Sequence, residues 1–313
     1  LNAFIRRYAG TEGFFVFSAS RWSPYETGFR RKWRNPQQKK DQRMRIVAIV
    51  GLALAGLNVG VQAQSSLWAN SVISYNAGTG YTPGYDNPSA ALGEPSRFTP
   101  GQYGGPVDPF SPPWTSGQLV TVGAGGWLTV QFGAPVRNAA GNPFGLDFMI
   151  FNGSGFLITN GNYEGGGITD GTTFGGDAQT RVSVSQDGVN FYELNPSFAP
   201  LVDAGWPTDG SGNFNIPVNP ALTGANFAGR DLAGIRALYA GSGGGAGYDI
   251  AWARDQNGQS VSLDEINYVR VDVLSGRAKI DGFAAVPEPA TLSLGVGGVV
   301  FALLLGRRNC KKG

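Results

Sequence analysis

The stretch SVSQDGVNFYEL, residues 183–194, consists of two alternating segments that meet at Asp187-Gly188. Successive side chains of a β-strand point to opposite faces. With Arg181 and Val182 just ahead of the stretch, Val182 and Val184 therefore point one way, and Arg181, Ser183 and Ser185 the other. Asp-Gly is a dipeptide that supplies the positive φ angles of a tight hairpin turn, and an ordinary hairpin accounts for these residues. YVRVDV (268–273) repeats the pattern, with Val269, Val271 and Val273 expected inward and Arg270 and Asp272 outward. Alternation this regular marks strands buried on one face only, as in antiparallel sheets.

Besides the two arms of the hairpin, eight stretches carry strand signals, the one around YVRVDV among them. They are WANSVISY (68–75), QLVTVG (118–123), GWLTVQF (126–132), LDFMIF (146–151), GIRALYA (234–240), YDIAWA (248–253), INYVRVDVL (266–274) and KIDGFAAV (279–286). No helix-length amphipathic run is expected between about Ser65 and Ala285. About ten strands in some 220 residues predict an all-β fold, an antiparallel β-sandwich over residues 64–286. Gly 49 and Pro 19 in 313 residues fit a turn-rich β protein.

The formal net charge of +2 conceals a division along the chain. Residues 1–43 hold ten Lys and Arg against three acids, whereas residues 64–287 hold nine basic and eighteen acidic residues. An acidic body with scattered basic residues offers no electrostatic footprint for nucleic acid. The chain has no histidine, which excludes Ser-His-Asp and Cys-His catalysis and histidine zinc sites. Its single cysteine, Cys310, cannot form an intrachain disulfide.

Both ends read as targeting segments. MRIVAIVGLALAGLNVGVQAQ, from Met44, has a basic start, an apolar run and a small-x-small site at Val61-Gln62-Ala63. This is the anatomy of a signal peptide over 44–63, cleaved between Ala63 and Gln64; a buried core helix is the alternative. Residues 1–43 show no periodicity and are expected to be disordered sequence upstream of a start at Met44, or else a long basic n-region. At the other end, residues 290–306 are an uncharged apolar run followed by Arg307, Arg308, Lys311 and Lys312. Such a run is just long enough for a transmembrane helix, with its basic tip on the cytoplasmic side.

VPEPATLSLGVGGVVFALLLGRR (286–308) resembles a PEP-CTERM sorting signal, in which Pro287, Glu288 and Pro289 form the motif and Arg307 and Arg308 the basic cluster. The resemblance implies export through the secretion translocon, cleavage by signal peptidase and handling by an exosortase. It also implies transient anchoring in the inner membrane, a final place at the cell surface, outer membrane or extracellular matrix, and an association with exopolysaccharide or biofilm. In company with ALGEP (91–95), GLDFMIFNG (145–153) and YDIAWARDQNGQSVSLDEINYVRVDVL (248–274), the Asp187-Gly188 hairpin resembles discoidin-like, galactose-binding-like jelly rolls.

Residues 76–117 form a long loop rich in Gly, Pro and aromatics. Tyr81, Tyr85, Tyr103 and Trp114 are its candidate sugar-stacking faces; packing of the loop onto the sandwich is the alternative. A structural calcium is considered at Asp147, Asn152, Glu164 and Asp249, because it would need oxygen ligands from neighbouring strand ends. No catalytic motif is found. The glycines of GSGGGAG (241–247) precede no expected helix, so a phosphate loop is rejected. The leading expectation is a non-catalytic binding or structural surface module. A carboxylate-based glycan-active enzyme and a purely structural or adhesive protein without a small ligand are the rivals.

Overall fold

In the computed structural model residues 67–288 are described. The expected upstream segment 1–43, the signal peptide with Ala63 and Gln64, the apolar run 290–306, and Pro289, Arg307 and Arg308 lie outside them. Among the described residues, no helix is long and apolar enough to cross a membrane.

The described residues are mostly antiparallel β structure with few helices. Ten strands make two sheets: β1 Ala69–Asn76, β2 Val120–Gly123, β3 Trp127–Arg137, β4 Phe148–Asn152, β5 Gln179–Ser185, β6 Tyr192–Leu194, β7 Ala246–Tyr248, β8 Ala253–Arg254, β9 Glu265–Ser275 and β10 Arg277–Ala285. The six-stranded sheet runs β1-β3-β9-β5-β6-β8 and the four-stranded sheet β7-β4-β10-β2. Their inward faces share one apolar core. Val130, Val269 and Val184 are cross-strand neighbours on one side, while Phe148, Ile150, Ile280 and Phe283 come from the other.

The two sheets differ in what covers their outer faces. In the six-stranded sheet Val182, Val184, Val269, Val271 and Val273 are all buried as expected; β9 alternates in burial, whereas in β5 Ser183 and Ser185 are buried as well. In β4 the run Phe148-Met149-Ile150-Phe151 is buried on both sides. Met149 and Phe151 point away from the core and pack with Trp68, Phe214 and Ala284. Beside them lies a second outer cluster, formed by Phe156, Val218, Phe227, Ile235 and Tyr239. A polar exterior is thus kept by one sheet and lost by the other, and a continuous apolar strand is the signature of the second case.

Two expectations about local structure are corrected. GIRALYA is not a strand: Leu232–Tyr239 form helix α1. The Asp231 side chain caps it, accepting from the Gly234 N–H at 2.8 Å. Ile235 and Tyr239, four residues apart, bury one face in the outer cluster. Arg236 on α1 forks onto the buried Asp209 at 2.7 and 3.0 Å. Burial opposes ionisation of Asp209, but the guanidinium and the Ser211 donors outweigh it and hold the carboxyl below its ordinary range. YDIAWA is likewise broken, into the end of β7, a 3-10 turn at Ile250–Trp252 and the start of β8.

The Asp187-Gly188 hairpin joins β5 to β6 as expected, but by a longer connection. Only Gly188 has positive φ, at 75°. Asp187 acts through its carboxylate, which accepts from the backbone of Asn190 and Val189, from the Asn190 side chain and from the Ser185 hydroxyl. These donors hold its carboxyl well below the ordinary range.

Candidate functional site: the outer face of the six-stranded sheet

With the four-stranded sheet covered, the outside of the six-stranded sheet is the broad polar face of the sandwich. Pairing of its strands puts residues distant in sequence into rows. One row crosses all six strands: Ser74, Thr129, Arg270, Ser183, Glu193 and Arg254. The next row holds Asn76, Trp127, Asp272 and Arg181. Outward side chains in register stand within reach of one another, and here they are tied together. The Trp127 indole N–H donates to the Ser74 hydroxyl at 3.2 Å, which donates to Thr129 at 3.0 Å. Arg270 lies over the Trp127 ring, 4.8 Å from its centroid, and donates twice to Asp272, at 3.0 and 2.8 Å.

Towards β8 this face deepens into a cleft of about 750 Å³, within the size range of ligand sites. Its floor is Arg181, Ser183, Glu193, Arg254, Arg270 and Asp272, and its rim is Phe191, the 195–197 turn and the 255–258 turn. Both rim turns are fixed by side chains that mimic backbone. Asn195 accepts from the Ser197 N–H at 3.1 Å, and Asp255 accepts from the Asn257 and Gln259 N–H groups at 2.8 Å.

Charge in the cleft is incompletely paired. Arg181 approaches Asp272 and Glu193 only at 3.8 and 4.0 Å, without a hydrogen bond. Arg254 is the cross-strand neighbour of Glu193, yet among the described residues its guanidinium meets no carboxylate within 4.0 Å and donates no hydrogen bond. A preformed polar floor with unspent donors can bind a polar ligand without first breaking its own contacts.

The expected sugar-stacking aromatics are distributed differently. Tyr85 and Trp114 come together, because the Tyr85 hydroxyl donates to the Trp114 carbonyl at 2.7 Å. The Tyr85 carbonyl in turn accepts from the Thr121 N–H at 2.7 Å, so this part of the loop is pinned to β2. Tyr81 is half-buried in the same stretch. Tyr103 stands apart at a turn and is 83% exposed, and Trp114 is 49% exposed. The rest of loop 76–117 is stapled down by Gln118, whose buried side chain bonds Trp114, Thr115 and Thr99.

The four oxygen ligands considered for calcium do not gather at one point. Asp147 and Asp249 do meet. Asp147 is fully buried and accepts from the Ala139 and Ile250 N–H groups and the Asn142 amide. Burial first, and the neighbouring Asp249 among lesser causes, raise its carboxyl to about 6. Asn152 ends β4 four residues beyond Phe148, about 13 Å along the strand. Its amide is spent on the Val202 carbonyl, the Ser154 N–H and the Ser154 hydroxyl. Glu164 sits on an exposed loop. Among the described residues, no group of three or more acidic or thiol side chains converges as a metal site. The sequence reading missed the cleft, because its floor comes from four strands between residues 181 and 272.

Compared with known proteins, the chain matches no family model and no curated protein.

Proposed function

We propose that the chain is an exported, non-catalytic surface or matrix protein that binds polysaccharide on the outer face of its six-stranded sheet. The observation that carries the reading is the six-strand polar row ending in the cleft, with Phe191 as a flat face beside hydroxyl, amide and guanidinium groups. Aromatic faces beside fixed hydrogen-bond donors and acceptors suit a sugar ring, which is apolar on its faces and hydroxylated at its edge. The two sheets are read as a galactose-binding-like jelly roll. The targeting segments at the two ends support delivery by a signal peptide and sorting through Pro287-Glu288-Pro289, with the translocon, signal peptidase and an exosortase as partners. In this reading the inner membrane is a stage before the cell surface or matrix.

Binding of the purified chain to a panel of immobilised polysaccharides tests this. Arg270→Ala and Trp127→Ala are expected to weaken binding at least about tenfold, whereas Tyr103→Ala and Trp114→Ala leave it unchanged. The opposite ranking would move the site to the 76–117 loop. A folded chain that binds no polysaccharide refutes the glycan reading. Mass spectrometry of both ends of the mature protein tests the delivery route.

A further inference from the structure

The geometry points to a carboxylated polysaccharide, one built with uronic acid units, as the ligand of the cleft; this rests on the glycan reading and narrows it. Of the three arginines on the floor, only Arg270 spends its donors on a carboxylate. Arg181 is held between Asp272 and Glu193 at distances too long for hydrogen bonds. Arg254 faces Glu193 across the strand pair, but the Glu193 carboxylate leans towards Arg181 instead. On the other side, one Asp255 oxygen is occupied by two backbone N–H groups of its own turn. The cleft thus presents two guanidinium groups with unused hydrogen-bonding edges, at Arg181 and Arg254.

A guanidinium edge matches a planar carboxylate through two parallel N–H···O bonds. A neutral sugar would leave those donors facing hydroxyls, which satisfy them more weakly. Glu193 and Asp272 sit among the same arginines, which disfavours an anion without fixed geometry. A carboxylate carried on a sugar ring can reach one guanidinium edge while its hydroxyls meet Ser183, Asn195, Ser197 and Gln256. Three arginines and the carboxylates of Glu193, Asp255 and Asp272 leave the lining without net charge, so charge alone does not draw in a polyanion; the arrangement selects one that carries hydroxyls as well.

The test measures binding of the full chain to polygalacturonate, dextran, dextran sulfate and polyglutamate at low and at about 0.5 M salt. Polygalacturonate is expected to bind at least about tenfold more tightly than dextran at low salt, with a smaller margin at high salt. Arg254→Gln, and separately Arg181→Gln, should erase that margin by bringing polygalacturonate binding down to the level of dextran in the same variant, with the unfolding midpoint unchanged. Arg254→Lys should restore only part of it, because an ammonium group keeps the charge and loses the fork. Equal binding of polygalacturonate and dextran, or a margin that survives both glutamine variants, overturns the inference but not the glycan reading. Dextran sulfate or polyglutamate binding as tightly as polygalacturonate overturns it too, by showing a response to charge alone. Failure to bind either dextran or polygalacturonate refutes the glycan reading and the inference with it.

Discussion

Asp281 sits at a register shift of β10 between Ile280 and Gly282, and the irregularity turns its side chain towards the 91–96 segment. It is 2% exposed, and its two oxygens accept from the Ser96 N–H at 2.9 Å and the Ser96 hydroxyl at 2.7 Å. Burial raises the carboxyl to about 7 despite both donors, against 3.8 for the free group. A carboxyl whose folded pKa lies above its unfolded value favours the folded state most when protonated. Its contribution is therefore complete below about pH 4 and is lost as the pH rises towards 7 and beyond. At about 1.4 kcal/mol per pH unit, the interval from 3.8 to about 7 corresponds to roughly 4 kcal/mol. Asp147 and Asp203, both raised to about 6 chiefly by burial, act in the same direction. Urea unfolding followed by tryptophan fluorescence at pH 5 and pH 8 is expected to show the chain several kcal/mol more stable at pH 5. Asp281→Asn keeps the shape and can satisfy Ser96 through its oxygen and amide, so its loss of stability between these pH values should be smaller by about 2–4 kcal/mol. An unchanged difference between pH 5 and pH 8 in the asparagine variant would refute the assignment of the titration to Asp281.

Two further substitutions probe the layer that covers the four-stranded sheet. Arg236→Ala leaves the buried Asp209 carboxylate without its fork and should cost about 2–4 kcal/mol in urea unfolding. Asp209→Asn combined with it should recover part of that loss. Gly244 has a φ of 90°, and a side chain there would strike the Pro207 carbonyl. Gly244→Ala is therefore expected to lower stability by more than about 1 kcal/mol, read as a lower thermal midpoint, whereas Gly241→Ala, where the space is open, should cost only its backbone strain.

The strands were legible where one face is wet, because Val182, Val184, Val269 and Val271 alternate with polar partners for two or more periods. The helix α1 was not, because seven residues satisfy both templates. Ile235, Ala237 and Tyr239 alternate as in a strand, while Ile235 and Tyr239 are also one helical turn apart. The signal that decides between them lies just outside the stretch, where Asp231 stands at the N-cap position of Leu232. At Asp187-Gly188 the hairpin was legible and its turn chemistry was not, because aspartate can serve a turn through its φ or through its carboxylate. Asp147 and Asp249 are neighbours because the strands that follow and precede them pair at Phe148 and Tyr248. Asn152 does not join them, since a β-strand carries its two ends far apart, and Glu164 lies on an exposed loop. The cleft could not be read in advance, because Arg181, Glu193, Arg254 and Arg270 are neighbours only through the strand order β9-β5-β6-β8.

That strand order also explains why the polar face belongs to the six-stranded sheet. The chain between β6 and β7 brings Phe214 and α1 over the outside of the four-stranded sheet, where Gly243, Gly244 and Gly245 allow close backbone approach. Covering a sheet this way buries Met149 and Phe151. The same chain begins at β6 and ends at β7, which leads into β8, so the 195–197 and 255–258 turns stand beside the uncovered sheet and raise a rim there. Solubility alone would require the uncovered face to be polar. It would not require Trp127 to be locked between Ser74 and Arg270, or two guanidinium edges to be left unspent beside the carboxylates of Glu193 and Asp272. Elsewhere on the surface Arg97 does close on an acid, meeting Glu94 at 2.7 Å. Arg254 faces an acid across a strand pair and does not close on it, and in the proposed reading an outside partner completes the contacts.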